Sequence, residues 1–138
     1  LADVLADQIR GICLIIEKID ERGTIISPES AMAIRHSLVP CEKNIELLIA
    51  AFPVIPDDVN GAMREQDEHL RDEMTGQYQR YLARLSLNQS PAGSDISRAL
   101  FQVEGMAATI REIRKSLRRL NRDCCTDETG IARKATDR

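Results

Sequence analysis

"ISRALFQVEGMAATIREIRKSLRRLNRDC", residues 96–124, carries the clearest pattern in the chain. Ile96, Val103, Ile110, Leu117 and Cys124 recur every seventh residue, and Ala99, Met106, Ile113 and Leu120 form a second row beside them. An α-helix turns about 100° per residue, so both rows share one face. Four consecutive heptads predict a long helix over about 95–123, packed at a shallow angle on its neighbours.

Upstream, "NQSPAGSD" at 88–95 reads as a loop by its turn residues. A helix before it is expected to open at Pro56, Asp57 and Asp58 and run to about Asn88. Its buried side would comprise Val59, Met63, Leu70, Met74, Tyr78, Tyr81, Leu82 and Leu85, although its middle, 60–77, is weakly apolar. "FPVIP" at 52–56 is a turn. The preceding helix has Ser27 as N-cap, Pro28 at the first helical position and Glu29 suited to the helix dipole. It continues to about Phe52 through Met32, Ile34, Leu38, Val39, Cys41, Ile45, Leu48 and Ile49. Pro40 lies inside it and removes the hydrogen bond to the His36 carbonyl, so a kink or two shorter helices are expected.

The first helix covers about 2–21 and includes the unbroken apolar run Ile12–Ile16. On a helix most of that run resolves into a stripe of Leu5, Ile9, Ile12, Ile16 and Ile19, widened by Val4 and Ile15. Asp3, Asp7, Arg10, Glu17, Lys18 and Glu21 lie opposite, with Leu14 alone among them. Gly23 is placed to end the helix in the left-handed region. "GTIIS" at 23–27 is the best strand signal in the chain, and it is only five residues long.

Four amphipathic segments joined by short turns predict an all-α, antiparallel up-down four-helix bundle over 1–124, with 125–138 as a flexible tail. Charge supports this topology. Asp57, Asp58, Glu65, Asp67, Glu68, Asp72 and Glu73 crowd the first half of helix three. Arg111, Arg114, Lys115, Arg118, Arg119 and Arg122 crowd the second half of helix four. An antiparallel pair sets those halves side by side.

The 138 residues suit one domain with a single core. Aromatics make up 3%, with no Trp, which disfavours a carbohydrate site or a β-sandwich. A net charge of −3 gives no global attraction for nucleic acid. No apolar run approaches the roughly 20 residues that cross a bilayer. Cys13 and Cys41 read as core helix positions, with Cys13 at the stripe's edge, and adjacent Cys124 and Cys125 point different ways. With no secretory leader, reduced thiols in the cytoplasm are expected.

Signals for chemistry are sparse. Glu65, His69 and Asp72 could share a helix face, as in a metal-dependent bundle enzyme. Diiron bundles, however, need paired Glu-x-x-His motifs, and Gln66 stands three before His69. A solvated face is the simpler reading. His36 and Cys41 flank Pro40 without a ligand set, and Cys124–Cys125 lacks Cys-x-x-Cys spacing. No phosphate loop or Ser/His/Asp pattern stands out. No catalytic residue, cofactor or metal ligand is therefore assigned.

The interaction candidates are Leu14 and the stripe Arg111, Arg114, Lys115, Arg118, Arg119 and Arg122. That stripe pairs with helix three in the simplest reading, and clusters of this kind also attract anionic lipid. Without interleaved aromatics, nucleic acid is disfavoured.

"LADQIRGICLIIEKI", "LVPCEKNIELL" and "ALFQVEGMAATIREIRKSLRRLN" together resemble the fungal HeLo-like N-terminal helical domains of immune-type receptors. The resemblance spans about 1–122, with Phe101 nearest to the Trp usual at the entry of the family's last helix. It implies a signalling module ahead of a nucleotide-binding or kinase-like domain, and some relatives oligomerise and disrupt membranes through the first helix. The expected function is a non-enzymatic signalling or protein-interaction domain that self-associates or binds a protein partner. Engagement of an anionic membrane is the alternative.

Overall fold

The computed structural model describes residues 1–23, 27–86 and 93–136, with side chains over 1–23, 27–80, 83 and 96–124. Four helices account for nearly all of it: α1 (Ala2–Glu21), α2 (Pro28–Ala51), α3 (Asp57–Ser86) and α4 (Gly93–Thr136). The fold is an all-α, up-down four-helix bundle. Residues 24–26, 87–92 and 137–138 lie outside the description, and with them most of the "GTIIS" signal and of the loop at 88–95. The side chains of Tyr81, Leu82, Leu85 and Cys125 also lie outside it.

Local chemistry sets the helix ends. Gly23 has φ of 61°, and its N–H donates to the Asp20 carbonyl at 3.0 Å. That left-handed position suits glycine, which has no Cβ to clash. Ser27 Oγ accepts from the Ser30 N–H at 3.2 Å and caps α2, with Pro28 next. The Asn60 N–H donates to the Pro56 carbonyl at 2.9 Å in the first turn of α3.

Two helix extents differ from expectation. α2 is one helix of 24 residues with Pro40 inside it, not two shorter ones. His36, whose carbonyl loses its amide partner to Pro40, is exposed, while the Pro40 side chain is fully buried against the core. α4 runs 44 residues to Thr136, about a dozen past the expected end. Its last stretch contains no proline, and Glu128, Ala132, Arg133 and Lys134 favour helix, although Gly130 inside it does not.

The core is one cluster drawn from all four helices and the turn before α3. Ile12, Ile34, Cys41, Leu48, Ile55, Met63, Leu70, Met74, Ile96, Ala99, Leu100, Val103, Met106 and Ile110 meet in it. The heptad positions of α4 are buried from Ile96 to Ile110. Ile113 and Leu117 are only half-buried, and Leu120 and Cys124 are exposed. α2 lies against both α3 and α4, whereas α1 packs on α4 alone among the described residues.

That arrangement corrects the reading of α1. Ile12 and Ile19 are buried and Leu5 and Ile15 half-buried, but Val4, Ile9 and Ile16 are exposed. Cys13 is exposed too, not a core position. A single neighbouring helix covers only a narrow strip, so the flanks of a wide apolar arc stay in water. The contact is pinned by polar groups. The Thr109 hydroxyl donates to Gln8 Oε1 at 3.0 Å, and Gly105 leaves room for the Gln8 amide where a Cβ would come within 2.9 Å of it.

Candidate functional site

The charge complementarity of helices three and four resolves into specific contacts. Asp67 lies in the α3 seam between Met63 and Leu70 and is buried. Its Oδ2 is 3.5 Å from Arg111 Nε and 3.6 Å from Arg114 Nη2. Its Oδ1 accepts from Asn44 Nδ2 of α2 at 3.2 Å, and the same amide donates to the Met63 carbonyl at 3.2 Å. Arg114 also donates to Asn60 Oδ1 at 2.6 Å. Nearer the turn, Arg118 donates to Asp57 Oδ1 at 2.6 Å and to the Ile55 carbonyl at 3.0 Å. Asn121 Nδ2 then reaches the Pro53 carbonyl at 3.4 Å.

These contacts divide the basic stripe. Arg111, Arg114 and Arg118 turn toward α3 and are buried or half-buried, while Lys115, Arg119 and Arg122 are exposed. Lys115 sits 3.5 Å from Glu112 on its own helix, and Arg122 Nε donates to the Arg118 carbonyl at 3.4 Å. Burial pulls the Arg114 pKa below its ordinary value. Asp67 opposes that shift, and Arg111, Arg64 and Arg118 add to it. Arginine does not give up its proton in proteins, so Arg114 stays charged beside Asp67.

Sequence reasoning missed Asn44 and Asp67. The signal for both is spacing: Ser37, Cys41, Asn44 and Leu48 on α2, and Met63, Asp67, Leu70, Met74 and Gln77 on α3, follow the three-four rhythm of a buried face. Of the five on α3, two are polar, which is why the middle of α3 looked weakly apolar.

The proposed metal cluster does not assemble. Glu65, His69 and Asp72 are all exposed. Among the described residues, no group of three or more His, Cys, Asp and Glu side chains gathers to hold a metal ion. Cys41 is buried, donates to the Val103 carbonyl at 3.9 Å and has its thiol pushed up to about 12 by burial and by Asp67. It is an unreactive core thiol.

Leu14 is 50% exposed, as its position among charges implied. It lines a groove of about 470 Å³ with Ile15 and Lys18 of α1, Tyr78 of α3 and Phe101 of α4. Phe101 is itself 67% exposed. α1 therefore shows apolar side chains on both flanks of its contact with α4: Ile9 and Ile16 on one, Leu14 with Phe101 on the other. Among the described residues, no helix is long and apolar enough to cross a membrane. Comparison with known protein families, with curated proteins and with solved structures finds no match for this chain.

Proposed function

We propose that this is a non-enzymatic, intracellular helical signalling domain that works by protein interaction, with α1 as the contact element. The observation that carries the reading is that, among the described residues, α1 packs on α4 alone, with Val4, Ile9 and Ile16 exposed. Ala2, Ile9 and Ile16 are spaced by sevens beside the row Leu5, Ile12 and Ile19 that meets α4. A second helix fits such a row. The occupant we favour is the same row on a second copy, because a two-fold axis makes one apolar arc cover its equal. The resemblance to HeLo-like domains, some of which oligomerise, supports the same reading.

Cys13, exposed on the shoulder of that arc, supplies the test. In a Cys124→Ser/Cys125→Ser background, mild oxidation is expected to yield a Cys13-linked dimer that forms fastest at native, associating concentrations. Cross-linking no faster than in urea-unfolded chain would remove the reading.

A further inference from the structure

We infer that the cationic groove between the start of α3 and the second half of α4 binds a small polyanion bearing two or more phosphate groups, either free or as a lipid headgroup. Arg64 of α3 and Arg114, Lys115, Arg118, Arg119 and Arg122 of α4 line a groove of about 480 Å³. The one other lining residue is Asn60, so among the described residues no carboxylate lines the groove. The α4 cations fall within an arc of about 140° at about 100° per residue, so helical geometry focuses them on one side.

Three of these cations, Arg114, Arg118 and Lys115, are ion-paired, and the paired acids approach from outside the groove. Asp67 meets Arg111 and Arg114 from the core side. Asp57 meets Arg118 from the turn, and Glu112 sits beside Lys115 on α4. These carboxylates hold the arginines in place but do not line the concave surface. Burial lowers the Arg114 pKa, Asp67 opposes that shift, and the nearby Arg111, Arg64 and Arg118 add to it, so cations lie close together at this end of α4. A multivalent anion relieves that crowding.

The chemistry of the lining selects the class of anion. Planar guanidinium groups match phosphate oxygens in pairs. Arg114 is buried, so the reachable cations are Arg64, Lys115, Arg118, Arg119 and Arg122, and a single carboxylate or phosphate would engage only part of them; clustered phosphates fit better. No aromatic side chain lines the groove, so it offers no platform for stacked nucleic-acid bases.

Arg64 and Arg119 are the residues to change, because Arg114 and Arg118 also hold α4 to α3 and the turn before it. Calorimetry with inositol hexakisphosphate as the probe is expected to show saturable one-to-one binding at physiological salt, with inorganic phosphate binding far more weakly. R64E/R119E is expected to weaken binding by roughly tenfold or more. R64K/R119K should retain most of it, and K43E, outside the groove on α2, should leave it unchanged. Circular dichroism melts must superimpose for all variants compared. Flotation with phosphatidylcholine vesicles, with and without phosphatidylinositol bisphosphate, separates the two sources. Capture by the bisphosphate vesicles assigns a headgroup, and binding of the soluble probe without capture assigns a free ligand. The inference is overturned by binding in neither arm, by binding that R64E/R119E leaves intact, or by tighter binding to an RNA oligonucleotide of equal charge.

Discussion

Asp67 Oδ2 and Arg114 Nη2 lie 3.6 Å apart with both side chains 8% exposed, and this pair joins α3 to α4 inside the bundle. Asn44 extends the network to α2, so one carboxylate is shared by three helices. A buried ion pair is weak evidence of net stabilisation, because desolvating two charges offsets much of their attraction. Breaking one is costly because it leaves the other charge buried and alone. Asp67→Ala is therefore expected to destabilise the domain by about 3–5 kcal/mol in urea unfolding. The pair change Asp67→Leu/Arg114→Leu should cost less than Asp67→Ala alone. A loss under about 1 kcal/mol for Asp67→Ala would place the pair among exposed bridges of little worth.

The two faces of α1 should behave oppositely. Ile12 is 4% exposed against α4, and Ile12→Ala is expected to cost about 2–4 kcal/mol through lost burial and the cavity left behind. Ile16 is 47% exposed, and Ile16→Ala should change stability by less than about 0.5 kcal/mol. Leu14→Lys should likewise leave the melting temperature nearly unchanged. Thermal unfolding of the three variants checks the ranking, and a large drop for Leu14→Lys would show α1 enclosed on a further side.

Among the described residues α1 is held by one neighbour, whereas α2, α3 and α4 bury shared surfaces. Local opening follows the amount of buried contact. In hydrogen–deuterium exchange at concentrations low enough to keep the chain monomeric, the amides of α1 are expected to exchange well before those of α2 around Cys41 and of α4 around Val103. Equal protection of α1 would mean that another surface covers it.

Cys41 sets an alkaline limit. Its thiol titrates at about 12 when folded against 9.0 as the ordinary value, so the folded chain holds that proton more tightly. The associated stability is fully present below about pH 9 and falls as pH rises toward 12, by at most about 1.4 kcal/mol per pH unit. Cys41→Ala should make the decline of stability between pH 9 and 11 shallower. In the native protein Cys13 should react with a thiol reagent within the mixing phase, and Cys41 only at the rate of unfolding.

How much of this was legible in the sequence depended on whether the signal was local. The starts of α2 and α3, the Ser27 cap and the Gly23 terminus follow from residues within a turn of each boundary. The heptads of α4 and the opposed charges of α3 and α4 sufficed to orient the hairpin. Asp67 was not recognisable as a core residue, because an Asp among six other acids looks like a solvated face until Arg114 and Asn44 are seen around it. The exposure of Ile9 and Ile16 was also hidden. Periodicity shows how wide an apolar arc is, but which helices cover it depends on packing between distant segments. The far end of α4 was misjudged because weak patterning was taken for the end of a helix.

The reading of α1 as a self-associating surface is tested most directly by sedimentation equilibrium on the wild-type chain and on Ile9→Lys/Ile16→Lys. A concentration-dependent dimer is expected for the wild type. The double variant should be monomeric over the same range, with a circular dichroism melt that matches the wild type's at dilute, monomeric concentration. A wild-type chain that stays monomeric at millimolar concentration, or a double variant that dimerises as tightly as the wild type, would contradict it.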